Sequence, residues 1–349
     1  MKTYFYLILA LLFTGIISCR KNHKNQPENR VIAPVIEKKN LKPATNDECK
    51  ILAEYFKTHG DFINSPYCPA LIDAKAVYKN LNNPAYLIID LRTPDDFRAG
   101  HIKGAVNVSL SRLPDYFKTE INPADYEAIV LVCYSGQSAS FGSGLMQLAG
   151  YDNVYAMKFG MSAWDEATAK KYWLKNISDK YAGKLETTPH PKPPAGPCPQ
   201  LYTGETEPQK ILEKRMQSVL SDPFKARLVG ADEVFQNPGK YFIINYWPED
   251  QYAAGHIPGA VQYTPKKDLS PDAYLNTLPT DKPIVIYCYT GQHAAFVAAY
   301  LDLLGYDARI LKYGANSFMH NILAKNKWHP FTRDKIMHYP VVRETVAAE

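Results

Sequence analysis

From about residue 70 onward, short runs of β-branched and aromatic residues alternate with longer stretches that carry apolar side chains at helical spacing. Tyr86 to Asp90, Ala105 to Val108, Ala128 to Val132 and Asn153 to Ala156 read as strands, as do Tyr241 to Ile244, Pro283 to Tyr287 and Ala308 to Leu311 further on. Several are apolar at every position instead of every second one, the pattern of strands covered on both faces. Helical stretches follow them, for example Ser138 to Ala149 and His293 to Leu304, and Gly150 and Gly305 stand where a helix C-terminus favours glycine. The expectation is an α/β fold with a mostly parallel sheet flanked by helices.

The pattern occurs twice. Ala99-Gly100-His101-Ile102 recurs as Ala254-Gly255-His256-Ile257, Cys133-Tyr134-Ser135-Gly136-Gln137 as Cys288-Tyr289-Thr290-Gly291-Gln292, and Gly150-Tyr151-Asp152 as Gly305-Tyr306-Asp307. A repeat this long is a duplicated domain, not a solenoid unit. Between the copies, Thr188 to Pro197 is too proline-rich for helix or sheet and predicts an extended linker. The chain accordingly divides into a first domain over residues 47–173, a linker over 174–210, a second domain over 211–330 and a tail over 331–349.

The start differs from all of this. Lys2 precedes an apolar run from Tyr4 to Ile17 that stops at Ser18-Cys19 and gives way to Arg20-Lys21-Asn22-His23-Lys24. Such a run is short for a membrane span and has the form of an export signal over residues 1–18. Ile16-Ile17-Ser18-Cys19 resembles a bacterial lipobox, which predicts lipid on Cys19, a solvated tether over 19–46, and a protein held to a bacterial membrane facing the periplasm or exterior. The formal net charge of +5, part of it in the tether, makes no case for nucleic acid.

Six cysteines in an exported protein invite disulfides. Cys49 and Cys68 are the natural local pair, although sequence alone leaves the connectivity open, and Cys198 in the linker reads as free.

Cys133 and Cys288 each follow an apolar strand and precede a turn, with a glycine, into a helix. The loops Tyr134-Ser135-Gly136-Gln137-Ser138 and Tyr289-Thr290-Gly291-Gln292-His293 can point backbone N–H groups at the sulfur, an environment that favours thiolate and persulfide anions and lowers a cysteine pKa. The topology also puts both cysteines at the C-terminal end of a parallel strand, where open α/β sheets build sites.

Asp90-Leu91-Arg92, then Phe97 to Ala105, then the Cys133 loop, then Met157 to Trp164 resemble, in order, the motifs of the rhodanese homology domain; Tyr252 to Ala260, the Cys288 loop and Lys312-Tyr313-Gly314 repeat them. The resemblance implies two domains, each a mostly parallel five-stranded sheet between helices. It further implies a sulfurtransferase that moves sulfane sulfur from a thiosulfate-like donor to a thiol or cyanide through a persulfide on Cys133 and/or Cys288, with no cofactor or metal. His101 and His256 are then structural. Where many active members of the family close the loop with arginine, this chain has Ser138 and His293, which leaves Lys158 and Lys312, at the end of the following strand, as candidate cations at the rim of their own loops. The second copy also departs at Asn245-Tyr246-Trp247. The alternative reading is a rhodanese-like module that docks to, or accepts sulfur from, another exported protein. A phosphatase of related fold lacks its arginine here, redox sensing lacks an adjacent resolving cysteine, and no Cys/His cluster has metal-ligand spacing in the sequence.

Overall fold

The computed structural model describes residues 47–344. The stretches expected as export signal and tether, with Cys19, fall outside the described residues. Two five-stranded sheets form, all pairings parallel. The first has the order β1-β5-β4-β2-β3, from β1 Leu71–Ile72, β2 Tyr86–Asp90, β3 Val106–Asn107, β4 Ala128–Val132 and β5 Val154–Met157. The second is β6-β10-β9-β7-β8, from β6 Leu228–Val229, β7 Phe242–Asn245, β8 Val261–Gln262, β9 Ile284–Tyr287 and β10 Ala308–Leu311. The central strands β4 and β9 are buried at every position, as their unbroken apolar sequence demands. The short edge strands β1, β6 and β8 were not visible as apolar runs, because two residues carry no periodicity. Among the described residues no helix is long and apolar enough to cross a membrane.

The two repeats share one core. The helices Gln137–Leu148 and Gln292–Leu303, which follow the cysteine loops, pack on each other, and a Cβ added to Gly144 would lie 3.2 Å from Ala299. This is why the second helix is apolar almost all round: every residue from Ala294 to Leu303 is buried, with no face left for water. The helix Glu48–Thr58 precedes the first repeat but packs on the helix Pro208–Ser221 and reaches the second, where Phe56 meets Tyr300 with ring centroids 5.7 Å apart.

The segment after each repeat straps the other, or runs beside it, in matching ways. After the second repeat, Met337 and Tyr339 donate their N–H groups to Ala163 and Trp164 at 2.8 and 2.9 Å, and Val342 exchanges two backbone hydrogen bonds with His101, both 2.9 Å. After the first repeat, Tyr181 donates to Phe318 at 3.2 Å, and Glu186 and His256 exchange a pair at 3.0 and 2.9 Å. The proline-rich stretch that follows forms neither helix nor strand and is tied to the second repeat by His190 N–H to the Tyr252 hydroxyl at 3.0 Å and Gly196 N–H to Asn276 O at 2.7 Å.

The cysteine pairing corrects the sequence expectation. Cys49 is bonded to Cys198, Cys68 is a free buried thiol, and Cys198 is not free. The folded linker returns to the start of the Glu48–Thr58 helix, where the carboxylate of Glu48 accepts the N–H groups of Thr203 and Gly204 at 2.8 and 2.9 Å; no short-range spacing rule reveals such a return.

Candidate active site

Cys133 directly follows β4 and Cys288 directly follows β9, and in each repeat the chain turns through a glycine with positive φ, Gly136 at 89° and Gly291 at 75°, into the helix that follows. The turn folds its N–H groups back on the sulfur. Cys133 Sγ accepts from Gly136 at 3.1 Å and Ala139 at 3.4 Å, whereas Cys288 Sγ accepts from Ala294 at 3.4 Å. Both side chains are only 2% exposed. At Cys288 burial pushes the thiol pKa up, and the amides of Ala294, Thr290, Gly291 and His293 only partly oppose it. The lowering expected from the loop motif therefore does not hold at the second cysteine: desolvation outweighs the amide dipoles there.

What distinguishes the two sites is the space beside them. A cavity of about 520 Å³ has Cys133, Tyr134, Ser135, Gln137 and Ser138 in its wall, and the opposite wall comes from the second repeat: Asp222, Phe224, Lys225, Leu228, Lys312 and Tyr313. Leu91, Leu110, Phe141 and Tyr172 make the first repeat's wall largely apolar. Lys225 and Lys312 have no carboxylate partner within 4 Å among the described residues, while Arg227, also in the wall, is engaged with Asp302 at 2.5 Å.

The lysines sit crosswise to expectation. Lys312 follows β10 of the second repeat but lines the Cys133 cavity. Lys158, expected at the rim of the Cys133 loop, lies 4.0 Å from Asp73 and is near enough to His329 to help lower its pKa, second to burial. The His329 ring is 5.1 Å from that of Tyr289, in the Cys288 loop. The crossing of Lys312 follows from packing the loops against each other, which brings the end of β10 to the wall of the Cys133 cavity.

The glutamines interlock the loops. Gln292 accepts the N–H of Phe159 at 2.9 Å and donates to Ser140 Oγ at 3.3 Å, and Gln137 accepts the N–H of Tyr313 at 3.3 Å. The remaining loop side chains are tied within their own repeats. Tyr134 donates to Asp96 at 2.6 Å, Tyr289 donates to Gln251, Ser135 contacts Gln137 Oε1 at 3.5 Å, and Thr290 Oγ1 accepts from Gln292 N at 3.3 Å. Asp90 and Arg92 form a buried pair with Nη2 to Oδ2 at 2.7 Å, and Arg92 also caps the Gly100 carbonyl at 2.7 Å. In the second repeat Asn245 instead donates to the Tyr287 hydroxyl at 2.7 Å, so its drift from Asp-Leu-Arg replaces an ion pair with a neutral one.

His293, at the loop-closing position, supplies no cation. It is buried against Tyr246 with ring centroids 4.9 Å apart, its Nε2 has no hydrogen-bond partner among the described residues, and burial, with a smaller contribution from Lys266, lowers its pKa to about 3. Because the folded-state pKa lies below the ordinary 6.5, the unfolded chain binds the proton more tightly. Stability is full above about pH 6.5 and falls as the pH drops toward 3, with a limiting slope of about 1.4 kcal/mol per pH unit. Urea unfolding at pH 7.0 and 5.0 is expected to show a smaller difference for His293→Phe than for the unsubstituted chain, and equal differences would place the titration elsewhere.

Of the second repeat's residues in the Cys133 cavity, Asp222, Phe224 and Lys225 were beyond sequence reasoning, since they lie between recognised elements and carry no motif. The order of motifs does find its counterpart among known proteins. The rhodanese-like domain family matches at residues 73–167 and 231–321, just over half of the chain. The thiosulfate sulfurtransferase GlpE of Shewanella oneidensis is 37% identical over 83 residues, covering 24% of this chain and 78% of the relative. The protein of the same name from Pseudoalteromonas translucida is 29% identical over 92 residues, covering 26% of this chain and 84% of the relative. The crystal structure of a thiosulfate sulfurtransferase from Pseudomonas aeruginosa aligns over 85% of this chain and 49% of its own, at 14% identity and a TM-score of 0.28. The chain belongs to the rhodanese-like family, as a tandem of two domains related to sulfurtransferases.

Proposed function

We propose that this protein transfers sulfane sulfur through a persulfide on Cys133, and that Cys288 is the lesser or non-reacting partner. The observation that carries this reading is that Cys133 alone of the two lines the 520 Å³ cavity, with two N–H donors on its sulfur and, in the opposite wall, two lysines that have no carboxylate partner among the described residues. In the first step the Cys133 thiolate attacks the outer sulfur of a thiosulfate-like donor; a sulfur–sulfur bond forms to Cys133, the donor's own bond breaks, and its electron pair leaves with sulfite. The persulfide anion keeps the amide cradle. In the second step a thiol or cyanide takes the terminal sulfur and the Cys133 thiolate is restored. Lys225 and Lys312 take the place of the missing loop arginine as point charges for the donor anion.

Intact mass after brief exposure to thiosulfate tests it. The unsubstituted chain and Cys288→Ser are expected to gain one sulfur, and Cys133→Ser none. Gain that survives Cys133→Ser and vanishes with Cys288→Ser reverses the assignment, and no gain in any form favours the docking module over the enzyme. Lys312→Ala is expected to raise KM for thiosulfate about tenfold with little change in kcat, since it removes binding of the donor charge in ground and transition states alike.

Lipid anchoring at Cys19 and placement outside the cytoplasm are part of the same proposal. The Cys49–Cys198 disulfide supports an oxidising compartment. Incorporation of labelled fatty acid by the unsubstituted chain, and its loss in Cys19→Ser, is the expected result; labelling of neither would remove the anchor.

A further inference from the structure

We propose that Glu186, His190 and His256 form a divalent-cation site of the zinc class, which fastens the linker strap to the second repeat. One ligand atom from each of the three lies within 4.8 Å of the other two. Glu186 Oε1 is 2.6 Å from His190 Nε2 and 3.5 Å from His256 Nε2. Two imidazole nitrogens and a carboxylate oxygen are a donor set that suits zinc, leaving one position of a tetrahedron open. Small outward shifts would admit an ion at the usual distance of about 2.0–2.2 Å from each.

The surroundings of His256 make this more than a chance grouping. Its side chain is fully buried. Nδ1 faces the carbonyl oxygen of Tyr252 at 2.8 Å, and Nε2 faces the carbonyl oxygen of Thr188 at 3.1 Å as well as the Glu186 carboxylate. A neutral imidazole has one N–H, so it satisfies one of these sides and turns a lone pair on oxygen atoms at the other. With Nδ1–H donating to the Tyr252 carbonyl oxygen, the partner that commonly accepts from the outer N–H of a metal-bound histidine, Nε2 presents its lone pair to the space shared with Glu186 and His190. A cation there removes the repulsion.

The duplication supplies an internal comparison. His101 makes the same Nδ1 contact, 2.9 Å to Phe97 O, and a strap pairs with it in the same way, but the residue exchanging hydrogen bonds with it is Val342, where the second repeat has Glu186. The strap contact alone therefore needs no carboxylate. His190 is placed by its own N–H, which donates to the Tyr252 hydroxyl at 3.0 Å, and both it and Glu186 remain partly exposed, so the site is open to an entering ion.

Cobalt(II) titration of the purified chain tests this, because its absorption spectrum separates nitrogen and oxygen ligands from thiolates. One equivalent is expected to bind with d–d bands and without a thiolate charge-transfer band, and zinc is expected to displace it and raise Tm. Glu186→Gln and His190→Ala, both partly exposed and tolerable to the fold, are each expected to weaken affinity by more than about tenfold. Absence of d–d bands, or bands that persist unchanged in both variants, overturns the proposal. Sulfur loading of Cys133 in the same samples is read independently, so failure here leaves the sulfurtransferase reading standing and the reverse holds too.

Discussion

Replacement of Gly160 by alanine is expected to abolish persulfide formation on Cys133 while costing about 2–4 kcal/mol of stability. Gly160 has φ 59° and ψ −152°, a conformation close to one that is essentially restricted to glycine. A Cβ there would stand 2.4 Å from Cys133 O, 2.7 Å from Gly136 N and 3.0 Å from Ser135 N. All three are backbone atoms of the cysteine loop, so no side chain can turn aside to make room. Relief requires moving the very turn that aims the Gly136 N–H at Cys133 Sγ. Gly314 is the counterpart, its Cβ position 2.3 Å from Cys288 O and 2.6 Å from Gly291 N. Gly314→Ala should therefore destabilise the chain to a similar degree yet leave sulfur loading on Cys133 largely intact, if the reacting cysteine is the first one. Denaturant unfolding together with mass-detected loading reads both quantities. Wild-type loading in Gly160→Ala would show that the loop geometry is not what activates Cys133.

Reduction of the Cys49–Cys198 disulfide, or Cys198→Ser, is expected to lower unfolding free energy by up to about 5 kcal/mol, the chain-entropy value for closing so long a loop. The bonded residues are 149 positions apart, and the bond encloses the first repeat and most of the linker. The measured loss should be smaller, because contacts of the Glu48–Thr58 helix persist after reduction: Leu52 and Phe56 stay buried, and Glu48 still caps Thr203 and Gly204. Guanidinium unfolding with and without reductant gives the number, and a non-reducing peptide map gives the pairing. A map that joins Cys49 to Cys68, or curves that coincide, would defeat the prediction. Cys68 has no such role. It is fully buried, and desolvation drives its thiol pKa far up, so it should resist alkylation until the chain unfolds.

Much of the fold was legible because its signals are local. The unbroken apolar runs of β4 and β9 are consequences of covering both faces of a parallel sheet, the glycines after the helices mark where those helices end, and each signal is written in a few adjacent residues. The repeated Cys-to-Gly loop was legible for the same reason. Its chemistry was only half legible: amide donors on a sulfur follow from a turn, but whether burial or those donors dominate depends on what lies over the loop. At Cys288 burial dominates, and His293, at the position where the loop lacks its arginine, is a buried neutral ring.

The central strands, the helices that follow them, the duplication, and the placing of Cys133 and Cys288 at the head of matching loops were determined by the sequence alone, through periodicity and steric preferences that act over a few residues. The tertiary structure decided which wall faces Cys133, that Lys312 serves the opposite repeat's cavity, that Gln137 and Gln292 cross between loops, that each trailing segment reaches across to the other repeat, and that Cys49 finds Cys198. These are contacts between residues far apart in the chain, set by burying two helices against each other, and nothing in either partner's local sequence encodes the distance to the other.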